Sequence, residues 1–454
     1  MQATSGLLRR FDPDAVTAFR FLDCSLQGDG VALLRYALDE QVHFTERIRL
    51  PVLQPPAPEL LERVSGLLRL LHLVAGVSYY KTALPPTVLY EGEPPGPAVA
   101  ALLEALYSEG LGELAYRNAR PGLPRPAFPH GPDPEPAAAP PSPRRLLVPV
   151  GGGKDSAVAI EVARRSGLEV ALFSVGDAPP IARTARVAGL GRLIATRRLD
   201  PVLFELNAAG AVNGHVPITA IVTCLALLTA TLNGFDTVLM ANERSASAGN
   251  LIWDGVEVNH QFSKSLAAER LLSAAVAEAG GGVRQLSLLR PASELAIARA
   301  FARLEPYHAA FTSCNAIFRI DPALRASSWC RDCPKCRFVF LTLAPFTTPE
   351  HLREIFGADL LAEESQFEGF ALLAASGGHK PFECVGEEQE SLAAMRLLAA
   401  DERWREHAVV RRLATEVLAG RPLPEGDPTE VLALSEDHDV PAELMDGVRA
   451  LLGS

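Results

Sequence analysis

An α/β fold built on a parallel sheet, with an N-terminal α+β domain and a helical C-terminal region, is what the sequence predicts. Three observations carry this. From Arg144 onward, apolar runs of strand length alternate with helical patterns, as expected of a parallel sheet with helices on both faces. Residues 1–120 instead begin with short segments that alternate apolar and polar positions. Between the two lies 121–143, which holds ten prolines and little periodicity and reads as a semi-rigid linker. The expected units are therefore 1–120, the linker 121–143, 144–345 and 346–454.

In the first unit, Phe19–Leu26 and Val31–Leu38 alternate around the turn Gln27-Gly28-Asp29-Gly30, and His43–Leu50 alternates as well. A small antiparallel sheet follows from this pattern. Glu59–Ala75 and Ala98–Arg117 have helical spacing. Between them, Gly76–Pro86 sets Tyr79, Tyr80 and Lys81 between a glycine and two prolines. That stretch reads either as a loop packing its rings on the sheet or as a segment reaching a substrate.

The second unit predicts strands in Arg144–Val150, Leu168–Val175, Leu193–Arg197, Asp236–Met240 and Leu286–Leu289. Helices are expected from Ala157, over Ile181–Ala188, opening at His215–Ile218 and running through Leu232, opening at Val258–Ser265 with His260 and Lys264 at i and i+4 on one face, and over Pro291–Leu304. Ser265 lies four residues before Glu269, one too many for a capping box, so no cap is counted on there. From Glu350 the chain is mostly helical, with Leu392–Leu418 the clearest segment. Ser376–Ser391 interrupts it as a polar island that carries Phe382 and Cys384, which favours a functional loop over a bare turn.

Composition narrows the function. The 454 residues are 48% hydrophobic, enough for a large core. A net charge of -11 counts against nucleic acid as a partner, because such binding needs a basic footprint. No apolar run is long enough for a bilayer, and the N-terminus lacks a signal-peptide core, so no membrane partner is expected. Seven cysteines, four of them clustered, suit a reducing cytoplasm.

The chain is organised around Gly151-Gly152-Gly153-Lys154-Asp155-Ser156, where a strand turns through glycines into a helix. Glycines let the backbone approach a phosphate, and free N–H groups at the helix start point at it. A Walker loop is excluded, since Val148 stands where its first glycine belongs and Asp155 follows the lysine. The dinucleotide fingerprint is excluded by Ser156 in place of its third glycine. The hexapeptide resembles the PP-loop of the ATP pyrophosphatase superfamily and departs from Ser-Gly-Gly-x-Asp-Ser only at Gly151. The resemblance implies an adenine nucleotide alpha hydrolase-like core that cleaves ATP to AMP and pyrophosphate with Mg2+. The loop Gly151–Ser156 would then hold the phosphates, Asp155 would meet the metal, and Lys154 would neutralise the leaving pyrophosphate.

Cys330, Cys333 and Cys336 form C-x2-C-x2-C, and fifteen residues separate Cys314 from Cys330. Four thiolates so spaced suit tetrahedral zinc, with an iron–sulfur cluster as the alternative. The arrangement is similar to the zinc site of deazaguanine synthases, which are PP-loop enzymes too.

Four further stretches join the loop and the cysteines: GVSYYKTALPP at Gly76, ANERSASAGN at Ala241, VNHQFSKS at Val258 and GHKPFECVGEEQES at Gly378. Together they resemble the UDP-N-acetyl-muramoyl-L-alanyl-L-glutamate epimerases of peptidoglycan synthesis, the MurL family. The resemblance implies ATP-dependent inversion of the terminal L-glutamate of UDP-MurNAc-L-Ala-L-Glu, and a functional link to the ligase that adds it. His260, Lys264, Lys380 and Cys384 are the candidates for moving the α-proton, with Lys81 behind them. Lys264 or Lys380 could instead hold a phosphate or carboxylate of the substrate. An ATP-dependent ligase, an amidotransferase and a tRNA-modifying PP-loop enzyme are the alternatives.

Overall fold

A computed structural model describes residues 11–120, 125–132, 142–280, 282–318, 323, 325–375 and 379–453. Its strands are β1 (Ala18–Leu26), β2 (Val31–Leu38), β3 (Val42–Arg49), β4 (Thr87–Tyr90), β5 (Arg145–Pro149), β6 (Glu169–Val175), β7 (Arg192–Arg198), β8 (Thr237–Met240), β9 (Leu251–Trp253), β10 (Val256–Val258) and β11 (Arg284–Ser287). Nine of them form one sheet in the order β11-β8-β5-β6-β7-β3-β2-β1-β4. The run from β11 to β7 is parallel throughout. The alternating segments near the N-terminus do pair antiparallel, as β1-β2-β3.

That antiparallel sheet extends the parallel one. β3 pairs with the edge strand β7 over Arg47–Arg49. Glu46, wholly buried, accepts two hydrogen bonds from Arg197 at 2.6 and 2.9 Å across this seam. A bidentate pair of this kind fixes geometry as well as charge. Side-chain alternation divides β5 between two cores. Leu147 faces the helices Ser65–Ala75 and Ile218–Leu232, while Leu146 and Val148 face Lys154–Arg165, Glu294–Ala302 and the C-terminal helices. The rings of Tyr79 and Tyr80 lie in the first core, against Tyr36 and Phe44 and against Phe19 and Tyr107.

The structure breaks three expected helices. Glu59–Ala75 divides at Val64 into Pro58–Arg63 and Ser65–Ala75. Ala98–Arg117 breaks at Ser108, whose backbone (φ -110, ψ -81) leaves the helical region, and divides into Pro97–Tyr107 and Gly112–Arg117. Leu392–Leu418 ends its first helix at Ala400, and Asp401 is extended. The chain turns there to bury Trp404, whose Nε1 donates to the Thr347 carbonyl. Ser265 is a helix cap after all, accepting from the Ala268 N–H at 3.1 Å, so this helix starts at Leu266, and His260 and Lys264 lie before it instead of on one helical face; the long helix likewise starts at Ile218, after His215-Val216-Pro217. Of the proline-rich segment, 125–132 is described, with Phe128 packed on Tyr107; 121–124, 133–141 and residues 376–378 of the polar island lie outside the described residues. Among the described residues no helix is long and apolar enough to cross a membrane.

Candidate active site

The chain runs outward from β5 through β6 to β7, then returns to place β8 on the other side of β5. This reversal makes the crevice between the carboxyl ends of β5 and β8 the expected ligand position. Two loops open there, Gly151–Gly153 after β5 and Ala241–Asn250 after β8. Gly152 has φ +81, and a Cβ on it would lie 2.6 Å from the Pro180 backbone, so only glycine fits. A Cβ at Gly153 would meet Ser313 Oγ at 2.7 Å, whereas one at Gly151 would meet nothing nearer than 4.0 Å. The Gly151 N–H donates to Ser156 Oγ at 2.9 Å, closing the turn. No side chain caps the helix Lys154–Arg165 that follows, so its first N–H groups face the crevice, an arrangement suited to an anion.

Lys154 does not stand at the mouth of this loop. It is wholly buried, with Nζ paired to Asp155 and to Glu294. Burial alone would lower its pKa, but those two carboxylates raise it. Burial likewise pushes Asp155 up, and Lys154, Lys335 and Lys264 more than reverse it, so the carboxylate stays ionised. Lys335 Nζ lies 3.6 Å from the second oxygen of Glu294 and donates to the Cys384 carbonyl. Glu294 is held in turn by Glu390. The Glu390 carboxylate accepts from the Glu294 N–H at 2.8 Å, Ser245 Oγ at 2.5 Å and the Glu387 N–H at 2.8 Å.

Cys384 is the second focus. Lys264 Nζ lies 3.3 Å from its Sγ, and His260 is near enough to act on its charge. Burial would raise this thiol, but Lys264, His260 and Lys335 bring it down to about 6. His260 Nδ1 meets Glu113 Oε2 at 2.5 Å, and Arg117 binds the other Glu113 oxygen at 2.5 Å. Burial disfavours charge on His260, yet Cys384 and Glu113 raise it to about 9. His215, with its ring 4.2 Å from that of His260, is pulled down to about 4 by burial and then by His260. Phe382 packs on Tyr116, with the Arg117 guanidinium 5.2 Å from its ring, and so closes the loop over Glu113. Lys380, lowered by burial, donates to the Ala248 carbonyl at 3.3 Å. Lys81, brought down to about 8 by burial, donates to Asn213 at 2.7 Å.

The four expected cysteines converge. One sulfur from each of Cys314, Cys330, Cys333 and Cys336 lies within 4.8 Å of the others, and Cys330 and Cys336 are 3.7 Å apart. Zinc–thiolate bonds of ~2.3 Å in a tetrahedron put sulfurs ~3.8 Å apart, so the set fits zinc.

The MurL N-terminal domain matches residues 10–288, and the MurL C-terminal domain matches 310–424. Proteins of Micromonospora sp. and Salinispora tropica are each 49% identical, over 90% of this chain and 92% and 90% of their own length. One of Xanthomonas oryzae pv. oryzae is 42% identical over 97% of this chain and 98% of its own. All three are named UDP-N-acetyl-alpha-D-muramoyl-L-alanyl-L-glutamate epimerase. The chain belongs to the MurL family. No solved structure matches it.

In this MurL chain the crevice straddles both family domains. The glycine loop, Glu113, His215, His260 and Lys264 come from the first, and Lys335, Lys380, Cys384 and the four cysteines from the second. Glu294 falls between them. His260, Lys264 and Cys384 stand together, while Lys380 and Lys81 face other partners. Glu113, His215, Lys335, Glu390 and Arg290 were not singled out by sequence. Arg290, almost wholly buried, holds the carbonyls of Glu243 and Lys264 at 2.5 and 2.6 Å. The Glu in Gly-Glu-Glu-Gln-Glu-Ser and the His before Val216-Pro217 were the visible signals for Glu390 and His215; nothing local marked the others.

Proposed function

We propose that the protein inverts the terminal L-glutamate of UDP-MurNAc-L-Ala-L-Glu to D-glutamate, consuming ATP and releasing AMP and pyrophosphate. The reaction would serve peptidoglycan synthesis in the cytoplasm, after the ligase that adds L-glutamate. The printed names of the relatives point to the substrate and the inversion. The observation that carries the reading is one run of contacts between two sites: Asp155 to Lys154, Lys154 to Glu294, Glu294 to Lys335, and Lys335 to Cys384. A phosphate loop and a polar reactive centre thus share one wall.

The chemistry requires both. An α-proton beside an ionised carboxylate is hard to remove, because the product carries two adjacent negative charges. Transfer of the adenylyl group to the carboxylate removes one of them and turns the carbonyl into an electron sink. The N–H groups of Gly151–Ser156 would bind the phosphates, and Asp155 would hold Mg2+, which neutralises phosphate charge when bound. Lys154 supports this from beneath by fixing Asp155. At the far end of the wall, His260, Lys264 and Cys384 form the centre where the α-proton is taken and returned, each positioned acid or base being worth ~10²–10⁴-fold. Lys380 is left to hold a substrate carboxylate or phosphate. Zinc at the four cysteines would be structural, since all four ligand positions are protein thiolates.

The test supplies the L-glutamate substrate, ATP and Mg2+, hydrolyses the product and resolves glutamate on a chiral column. D-glutamate formed only with ATP, carrying solvent deuterium at Cα and accompanied by AMP, is the expected result. Retained L-glutamate in a new amide, or ADP in place of AMP, would reject it.

A further inference from the structure

We propose that Cys384 acts as a nucleophile, taking the glutamyl carboxyl carbon from the adenylate as a thioester before the α-proton moves. This rests on the ATP-dependent inversion argued above and adds one covalent step to it.

The side chains are ordered as a nucleophile, a base and an orienting carboxylate. Cys384 Sγ lies 3.3 Å from Lys264 Nζ and close enough to His260 for each to act on the other's charge; His260 Nδ1 meets Glu113 at 2.5 Å, and Glu113 is locked by Arg117 at 2.5 Å. That row of three is the arrangement that activates an attacking sulfur, recognised by geometry and not by position in the chain. Lys264 Nζ, 3.3 Å from Sγ, adds a fixed cation beside the thiolate, the environment that marks reactive cysteines. Lys335 ties the Cys384 carbonyl to Glu294 and hence to the glycine loop, so the sulfur belongs to the wall where the adenylate would form. A thiolate in that place meets an activated acyl carbon before it meets an unactivated α-proton.

The steps balance. Sγ attacks the acyl carbon, the S–C bond forms, the C–O bond to phosphate breaks, and its electron pair leaves on AMP. Acylation cancels the sulfur's negative charge, so His260 loses its counter-charge, gives its proton to water and becomes a neutral base aimed by Glu113. It takes the α-proton, the electron pair passes to the thioester carbonyl, and the Lys264 ammonium returns a proton to the other face of Cα. Water then adds to the thioester carbon, the C–S bond breaks, and the thiolate is restored. Of water's two protons, one recharges Lys264 and one goes to solvent. Nothing is oxidised or reduced.

The experiment mixes the full chain with ATP, Mg2+ and the L-glutamate substrate, quenches in acid over a series of times, and measures intact mass and a peptide map. The expected result is a mass gain of substrate less one water on the Cys384 peptide. It requires ATP, is released by neutral hydroxylamine, and is lost in Cys384→Ala, whose melting curve is recorded alongside. A run with terminal α-methylglutamate, which has no α-proton, forms the same adduct, because acylation precedes proton transfer. If wild-type protein makes AMP and D-glutamate with no adduct at any quench time, the thioester is wrong and the adenylate itself is inverted. If it makes neither AMP nor D-glutamate, the inversion reading fails and the thioester falls with it.

Discussion

The charge of Cys384 is set by its neighbours. Burial acts against a thiolate, and the Lys264 ammonium is the largest effect opposing it. The thiolate therefore persists above about pH 6, and alkylation of Cys384 by iodoacetamide should rise through that pH and level off. Lys264→Ala removes the cation and must move this rise to higher pH; an unmoved profile would show that Lys264 does not set the sulfur's charge. Glu113 is a positioning residue, acting through His260. Glu113→Gln should lower kcat by ~10²-fold or more while KM for ATP stays near its original value. The pH dependence should also shift, because a neutral amide no longer holds His260 protonated. A fall in KM and kcat together would indicate a general structural loss instead. The sequence marked Cys384 as odd in a polar turn and His260 with Lys264 as a basic pair near the cleft, and the structure brings Lys264 to 3.3 Å from Cys384 Sγ. The sequence could not mark Glu113, which sits in the ordinary helical stretch Gly-Glu-Leu-Ala-Tyr and meets His260 from 147 positions away.

At the level of elements, the glycine loop separates requirement from habit. Gly152→Ala places a methyl 2.6 Å from backbone at a positive φ, so it should cost more than about 1 kcal/mol and abolish pyrophosphate release. Gly151→Ser, which restores the residue usual in PP-loops, adds its Cβ where nothing lies nearer than 4.0 Å and should retain that release. If both variants behave alike, the loop is not the phosphate site. The helix Glu388–Ala400 is bolted to the crevice by Glu390, whose removal orphans two N–H groups and the Ser245 hydroxyl. Glu390→Ala should lower unfolding free energy by about 1–3 kcal/mol for each orphaned buried donor, readable in a urea titration. Strands were legible because burial on one or both faces imprints itself on the sequence: β3 alternates except at the buried Glu46, and β5 is apolar after Arg145. The breaks at Ser108 and Asp401 were not, because local helical spacing runs on through both, and it is tertiary packing, such as the burial of Trp404, that turns the chain.

Over the whole molecule, three stretches far apart in sequence close on one crevice, and the cysteine cluster sits where that closure is decided. Cys314 follows the segment that backs the glycine loop, since the Thr312 N–H donates to the Gly152 carbonyl and Ser313 lies against Gly153. Cys336 lies in the first turn of the helix Pro334–Leu343, and the residue before it, Lys335, reaches both Glu294 and Cys384. A metal joining these cysteines would fix the loop's backing to the helix that carries Lys335, and so hold a connection between the two foci. Protein purified without added metal should then contain about one zinc per chain. Stripping it with a chelator should lower Tm and inversion together, and zinc, but not magnesium, should restore both. Retention of full inversion by a metal-free chain would mean that packing of the four thiols alone holds the wall, and a chain found to carry neither zinc nor iron would remove the metal altogether.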